Sequence, residues 1–284
     1  MSPETFHVPS QDGVQVAVHD YGGPGMPMVF VHGTGLCSRM WEPVIERLPL
    51  DRIRPLGVDL RGHGSTSTPS DVRFFDHRMV ADLCAVIDHV GIKDGAVAAH
   101  SMGAATSMLA TLARPSAFGR VWAYEPIIFP TDGPHSEGLA QMVAATRKRR
   151  RDFPNRQTVI DRYGSRFPLD ELDPACLATY VQHGFTDQED GSVRLACDPE
   201  LEARAFEDFL QDGWGRLADM TTPVRVAYGG RMLDRAGELA PRVAEQLPNH
   251  SVDCFESSAH FGPFGELDHA ARSITEWCID RIGL

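Results

Sequence analysis

The sequence predicts an α/β fold with a mostly parallel, doubly wound sheet flanked by helices. Two observations carry this prediction. Between residues 27 and 124, short apolar runs of strand length alternate with longer stretches of helical pattern. This alternation stops after residue 126 and returns at residues 223–229. Strands that alternate with helices along a chain form parallel sheets covered by helices on both faces.

The individual elements follow from their local patterns. Short apolar or alternating runs next to glycine, proline or polar residues predict strands, and segments rich in alanine, leucine and methionine predict helices. The predicted strands lie at residues 14–19, 27–31, 54–59, 95–99, 120–124, 223–229 and 251–255. The predicted helices lie at residues 40–48, 75–90, 104–112 and 268–282.

The interruption of this pattern predicts a cap. Residues 131–222 show helical patterns, several prolines and few strand signals, so we expect an inserted helical cap there. The core would then comprise residues 1–130 and 223–284. Right-handed crossovers bring the loops at the strand ends to one edge of the sheet, where ligands bind.

Composition excludes several function classes. The chain has 284 residues, of which 42% are hydrophobic, and a formal net charge of -12. This charge disfavours nucleic acids and anionic membranes as partners, since both attract positive surfaces. No apolar run of membrane-spanning length and no signal-peptide pattern is present, which predicts a soluble cytoplasmic protein.

The cysteines and one basic run predict no site. The six cysteines lack the paired spacing of a metal cluster, so we expect no metal and mostly free, buried thiols. The basic run at residues 147–151 is expected to be a solvated helix end, favoured there by the helix dipole.

Ser101 lies between a predicted strand and a predicted helix, in the sequence AAHSMGAA at residues 98–105. A serine on such a tight turn needs small residues two positions before and after it, and Ala99 and Gly103 meet this requirement. This pattern indicates a nucleophile elbow. Alternatively, Ser101 is simply the N-cap of the following helix.

Four features in this order resemble the α/β-hydrolase family over nearly the full chain. They are HGTG at 32–35, DLRGHG at 59–64, the Ser101 turn, and AHFG at 259–262. The resemblance implies that His260 is the general base for Ser101 and that His32 and His63 support loops. It also implies an oxyanion hole formed by the backbone N–H groups of Thr34 and Met102.

Two residues are candidates for the carboxylate that orients His260. Glu125 ends the strand before the predicted cap, where a subset of the family carries its acid, including lactonases with a Ser-His-Glu triad. Asp234 follows the strand after the cap, the commoner place, but lies later after the strand's glycine than is usual. We favour Glu125, and Asp234 is then only a helix N-cap.

The predicted function is hydrolysis of a carboxylic ester or lactone through an acyl-enzyme, without a cofactor. Family members that attack haloalkanes or epoxides use an aspartate at the elbow, which Ser101 replaces. Candidates for contacting the substrate from the cap are Tyr180, His183 and Trp214. Alternatives are a small-molecule-binding homologue with slow or no turnover, and a cofactor-free C–C hydrolase or perhydrolase.

Overall fold

The computed structural model describes residues 2–69, 76–130, 136–207, 213–231 and 235–281. The strands are β1 Glu4–Pro9, β2 Gln15–Asp20, β3 Met26–Val31, β4 Ile53–Val58, β5 Gly95–His100, β6 Phe118–Tyr124, β7 Asp152–Phe153, β8 Phe185–Asp187, β9 Val193–Leu195, β10 Val224–Gly229 and β11 His250–Phe255. The α-helices are α1 Glu42–Ile45, α2 Asp76–Val90, α3 Met102–Ala113, α4 Ser136–Arg147, α5 Arg156–Tyr163, α6 Pro174–His183, α7 Pro199–Glu207, α8 Arg235–Glu245, α9 Gly262–Gly265 and α10 Leu267–Ile274.

Eight strands form one sheet in the order β1-β2-β4-β3-β5-β6-β10-β11. The pairs from β4 to β11 are parallel, while β1 and β2 are antiparallel to their neighbours. This arrangement confirms the predicted mostly parallel α/β sheet. β5, which leads to Ser101, lies in the middle of the sheet, and all six of its residues are buried.

Helices cover both faces of the sheet, and each face has its own apolar core. Leu83 of α2, Met108 of α3 and Val243 of α8 belong to the core on one face. Val44 of α1 and Ile274 of α10 belong to the core on the other face. The sheet is therefore held on both sides, and the loops at its strand ends start from fixed positions.

The segment between β6 and β10 contains strands as well as helices. Besides α4, α5, α6 and α7, it carries the small antiparallel sheet β7-β9-β8. These strands have only two or three residues each. They are too short to show the alternation from which a strand is predicted, so the sequence pattern indicated helices alone.

The basic run lies at the end of α4, as expected, and is paired with acidic residues. Arg147 closes α4 and pairs with Glu200 and Glu207 at 2.9 Å each. Arg151 pairs with Asp198 at 2.8 Å. Arg147 and Arg151 remain exposed, as expected of a solvated helix end. The acidic residues that pair with them lie about fifty positions later in the sequence.

Two other elements differ from their predicted lengths. The helix expected at residues 40–48 is a 3₁₀ turn, Ser38–Trp41, followed by the short α1. The C-terminal helix α10 continues as a π-helical turn, Thr275–Ile279. The six cysteines are free, and five are buried, as predicted.

Within the described residues, no helix is both long and apolar enough to cross a membrane.

Candidate active site

Ser101 stands on a strained turn between β5 and α3. Its backbone angles are φ 56° and ψ -119°, a conformation that residues other than glycine rarely adopt. Its N–H donates to the Tyr124 carbonyl at 2.8 Å, which fixes the turn against β6. The side chain makes no capping hydrogen bond with α3, so the simple N-cap role is not what the structure shows.

Small residues around Ser101 are required by close packing. A Cβ atom at Gly103 would lie 2.3 Å from the His32 carbonyl oxygen, and one at Gly33 would lie 2.5 Å from Nδ1 of His100. Both distances are shorter than any real contact allows. The HGTG loop and the Ser101 turn therefore pack directly against each other.

His260 lies between Ser101 and Glu125. Its Nε2 atom is 3.2 Å from Oγ of Ser101, and its Nδ1 atom is 2.6 Å from Oε2 of Glu125. With the proton on Nδ1, the imidazole donates to Glu125 and accepts the Ser101 hydroxyl proton through Nε2. The His260 side chain is 21% exposed, whereas that of Glu125 is 1% exposed.

Glu125 is held rigidly at the end of β6. Its backbone has a left-handed φ of 44°, and its N–H donates to the Ala227 carbonyl at 2.8 Å. The second carboxylate oxygen, Oε1, accepts from the Gly229 N–H at 2.9 Å. Both oxygens of this buried carboxylate are thus hydrogen-bonded, one of them to His260. The alternative candidate, Asp234, lies outside the described residues.

Two aromatic side chains fix the loop that carries His260. The Tyr124 hydroxyl donates to the Ala259 carbonyl at 2.6 Å, and Nε2 of His100 donates to the His260 carbonyl at 2.8 Å. Burial lowers the pKa of His100 well below its usual value, and the neighbouring His260 lowers it further. His100 is therefore a neutral donor, and it does not add a charge beside His260.

Thr34 contacts Met102, the first residue of α3. The Thr34 hydroxyl donates to the sulfur of Met102 at 3.3 Å. Within the described part of the chain, no backbone hydrogen bond outside the helices and strands uses the N–H of either residue. Backbone N–H groups near a nucleophile can donate to a tetrahedral oxyanion.

Two buried histidines orient the loop that carries Thr34. Nδ1 of His32 donates to the Gly33 carbonyl at 2.8 Å, while its Nε2 accepts from the Leu60 N–H at 3.0 Å. Nε2 of His63 accepts from the Gly35 N–H at 2.9 Å. Burial lowers the pKa of His32, and burial followed by repulsion from His32 lowers that of His63 to about 3. Both rings are neutral, as their hydrogen bonds require.

Asp59 links the chain after the HGTG loop to the chain after the DLRGHG loop. Its Oδ1 accepts from the backbone N–H and the hydroxyl of Ser38, each at 2.7 Å, and its Oδ2 accepts from the Ser65 N–H at 2.8 Å. His19 lies 3.0 Å from Oδ2. Burial alone would raise the pKa of Asp59, but the hydrogen bonds from His19 and from the Ser65 N–H lower it below its usual range.

The three candidate residues from the predicted cap lie in different places. The Tyr180 hydroxyl donates to the Gly35 carbonyl at 2.8 Å, so it contacts the HGTG loop. His183 ends α6, and the Trp214 ring lies 5.6 Å from the guanidinium carbon of Arg242. Among the described residues, none of the three makes a hydrogen bond or ring contact with Ser101 or His260.

Comparison of the chain with known proteins identifies its family. Residues 28–273 match the alpha/beta hydrolase family. The chain belongs to the alpha/beta hydrolase family. The match includes Thr34, Ser101, Glu125 and His260, so the geometry described above lies within the part shared with other alpha/beta hydrolases.

Two relatives with 30% identity or more match over a shorter stretch. The chain is 33% identical over 102 residues to the AB hydrolase superfamily protein YisY of Bacillus subtilis, which is 36% of this chain and 37% of that one. It is 30% identical over 98 residues to the bifunctional esterase/perhydrolase DCH of Acinetobacter calcoaceticus, which is 34% of this chain and 35% of the relative. These matches therefore span about a third of the relatives' length.

A solved structure shows that the whole fold is shared. The crystal structure of E-2-(acetamidomethylene)succinate hydrolase superposes with a TM-score of 0.79 at 22% identity, covering 98% of this chain and all of that one. At this level of identity, the likeness establishes the α/β-hydrolase fold, and the chemistry has to be argued from the site itself.

Proposed function

We propose that this alpha/beta hydrolase cleaves a carboxylic ester or lactone through an acyl-enzyme on Ser101. The observation that carries the proposal is the pair of contacts that His260 makes, 3.2 Å from Ser101 and 2.6 Å from Glu125. A serine hydroxyl is a weak nucleophile alone, and a neutral imidazole within hydrogen-bond reach activates it. The buried Glu125 selects the tautomer that leaves Nε2 free to act as base.

The proposed reaction has two acyl-transfer steps. Oγ of Ser101 attacks the substrate carbonyl carbon while His260 takes the hydroxyl proton. The negative oxygen of the tetrahedral intermediate accepts from the N–H groups of Thr34 and Met102, and His260 returns its proton to the departing alkoxide. Water then repeats the attack on the acyl-serine, again through His260, and releases the carboxylic acid.

The substrate class follows from the nucleophile. A serine forms an acyl-enzyme, so the substrate carries an acyl carbon, and within this class we propose an ester or lactone. One relative is the bifunctional esterase/perhydrolase DCH, which supports this class. The formal net charge of -12 argues for a small-molecule substrate rather than a nucleic acid. We further propose that residues 131–222 form a cap over the site and select the substrate.

A panel of nitrophenyl esters of increasing acyl length and of ring lactones tests this function. We expect turnover that falls by more than about 1,000-fold in Ser101→Ala, because the whole triad acts through this oxygen. Ser107→Ala, which changes a buried serine of the helix that follows Ser101, is the matched control and should retain activity. Stoichiometric release without turnover would favour the binding homologue, and turnover that survives Ser101→Ala would contradict the proposal.

A further inference from the structure

A chain of hydrogen bonds runs from Tyr180 of α6 to the peptide N–H of Thr34. The Tyr180 hydroxyl donates to the Gly35 carbonyl at 2.8 Å. The N–H of the same peptide group, that of Leu36, donates to the Gly33 carbonyl at 3.3 Å. The Gly33 carbonyl in turn shares its peptide group with the Thr34 N–H. The chain therefore ends on a proposed oxyanion donor.

The hydrogen bonds of this chain all run in one direction. Each peptide group accepts at its oxygen and donates at its nitrogen, so each bond polarises the next. His32 adds a second donor to the Gly33 carbonyl at 2.8 Å. The Thr34 N–H is consequently both fixed in orientation and made a stronger donor before any substrate binds. Donors that need no reorganisation stabilise an oxyanion best.

Tyr180 is itself held in the orientation that this role needs. Its side chain is 1% exposed, and its ring stacks on Tyr163 with centroids 6.2 Å apart and planes inclined by 15°. Nη2 of Arg149 donates to the Tyr180 oxygen at 3.4 Å. Since that oxygen accepts from Arg149, its own proton is directed to Gly35.

An ion pair between Arg149 and Glu202 packs against the HGTG loop at Gly35. Nη1 of Arg149 lies 2.6 Å and 2.5 Å from the two carboxylate oxygens of Glu202, which is buried. A Cβ atom at Gly35 would lie 2.4 Å from Oε1 of Glu202, and Gly35 has a φ of 77° that favours glycine. Side chains of the segment between β6 and β10 thus pack directly on the backbone beside Thr34.

We propose that Tyr180 is a positioning residue for the oxyanion hole, acting on the Thr34 N–H through the Gly35–Leu36 and Gly33–Thr34 peptide groups. This inference rests on the proposed function, because it assigns Thr34 an oxyanion. It makes the rate of acyl transfer depend on how α6 is seated against the HGTG loop. Tyr180 would then contribute to the chemical step without touching the substrate.

The Tyr180→Phe variant tests this role, since it keeps the ring and removes only the hydroxyl. We expect kcat to fall about tenfold with KM changed less than about twofold, a fraction of the loss on removing an oxyanion donor outright. The second-order rate of Ser101 reaction with a fluorophosphonate, whose phosphoryl oxygen gains negative charge as Ser101 attacks, should fall by the same factor. Active-site titration with this reagent gives the concentration of folded, reactive protein, and both rates are divided by that concentration.

Tyr163→Phe is the matched control. It removes a hydroxyl that also accepts from Arg149, at 3.3 Å, from the ring stacked on Tyr180. This variant should keep both rates. Unchanged rates in Tyr180→Phe, or a change in KM alone, would overturn the role of Tyr180 and leave the hydrolase proposal intact. If the unaltered protein does not react with the fluorophosphonate, the hydrolase proposal fails, and the role of Tyr180 fails with it.

Discussion

Oε2 of Glu125 lies 2.6 Å from Nδ1 of His260, although the two residues are 135 positions apart in the sequence. The other carboxylate oxygen accepts from the Gly229 N–H at the end of β10. The carboxylate therefore bridges the end of the neighbouring strand and the histidine loop. An acid at this position reaches the imidazole from the end of β6.

The first prediction concerns this acid. Glu125→Gln should lower kcat/KM by about 100-fold or more, because an amide no longer selects the Nδ1–H tautomer or stabilises the imidazolium. Asp234→Asn should keep near-normal activity. Steady-state kinetics on the best ester substrate checks both variants. The opposite result, with activity lost in Asp234→Asn and kept in Glu125→Gln, would show that Asp234 is the acid.

The second prediction concerns the Thr34 N–H. Thr34→Pro removes this donor and should lower kcat by about 100-fold, the typical effect of losing one oxyanion donor, or about 3 kcal/mol of transition-state stabilisation. Thr34→Ala keeps the N–H and removes only the hydroxyl contact with Met102, so its kcat should stay within a few-fold of normal. Equal losses in the two variants would argue against a backbone donor at this position.

The third prediction concerns the stability of the fold at low pH. The pKa of His63 falls from its usual value to about 3 in the folded protein, so the unfolded chain binds a proton at pH values where the folded protein does not. The stability that His63 contributes is complete above about pH 6.5 and is lost progressively as the pH falls towards 3. His32 and His100 act in the same direction.

Urea denaturation at several pH values between 7.5 and 5 measures this effect. In His63→Gln the slope of the unfolding free energy against pH should decrease by up to about 1.4 kcal/mol per pH unit, the full contribution of one titrating group. The other ionisable groups contribute equally to both proteins, so the difference between the two slopes measures His63 alone. Parallel curves for the two proteins would show that His63 is not held neutral.

The fourth prediction concerns a buried ion pair. Arg61 and Asp82 form two hydrogen bonds, at 2.6 Å and 2.7 Å, and both side chains are fully buried. Asp82→Ala leaves a buried guanidinium without its main partner and should lower the free energy of unfolding by about 3 kcal/mol or more. Asp88→Ala, which breaks the exposed pair with Arg114, should change stability little. Similar effects of the two substitutions would contradict this assignment.

Sequence motifs predicted the principal parts of the site because their chemistry is local. Ser101 needs a turn with small neighbours, and His260 and Glu125 follow strands whose apolar patterns are clear. The parallel sheet was predictable for the same reason. The left-handed φ of Glu125 was not predictable, since no sequence pattern around this residue indicates such backbone angles.

Long-range contacts were not predictable from pattern. Tyr180 looked like a residue that lines a substrate pocket, and only the tertiary structure shows its hydroxyl on the Gly35 carbonyl. Arg149 belonged to a run that resembled a solvated helix end, yet it pairs with Glu202. The surroundings of a charged or aromatic side chain can be predicted only when its partner is known. The partners of Tyr180 and Arg149 are distant in the sequence.

Reaction of the folded protein with a fluorophosphonate, followed by mass spectrometry of its peptides, tests the proposal that Ser101 is the nucleophile. We expect one phosphonyl group per chain, on Ser101, and no reaction in Ser101→Ala. Folded protein that stays unlabelled, or a phosphonyl group on a residue other than Ser101, would contradict it.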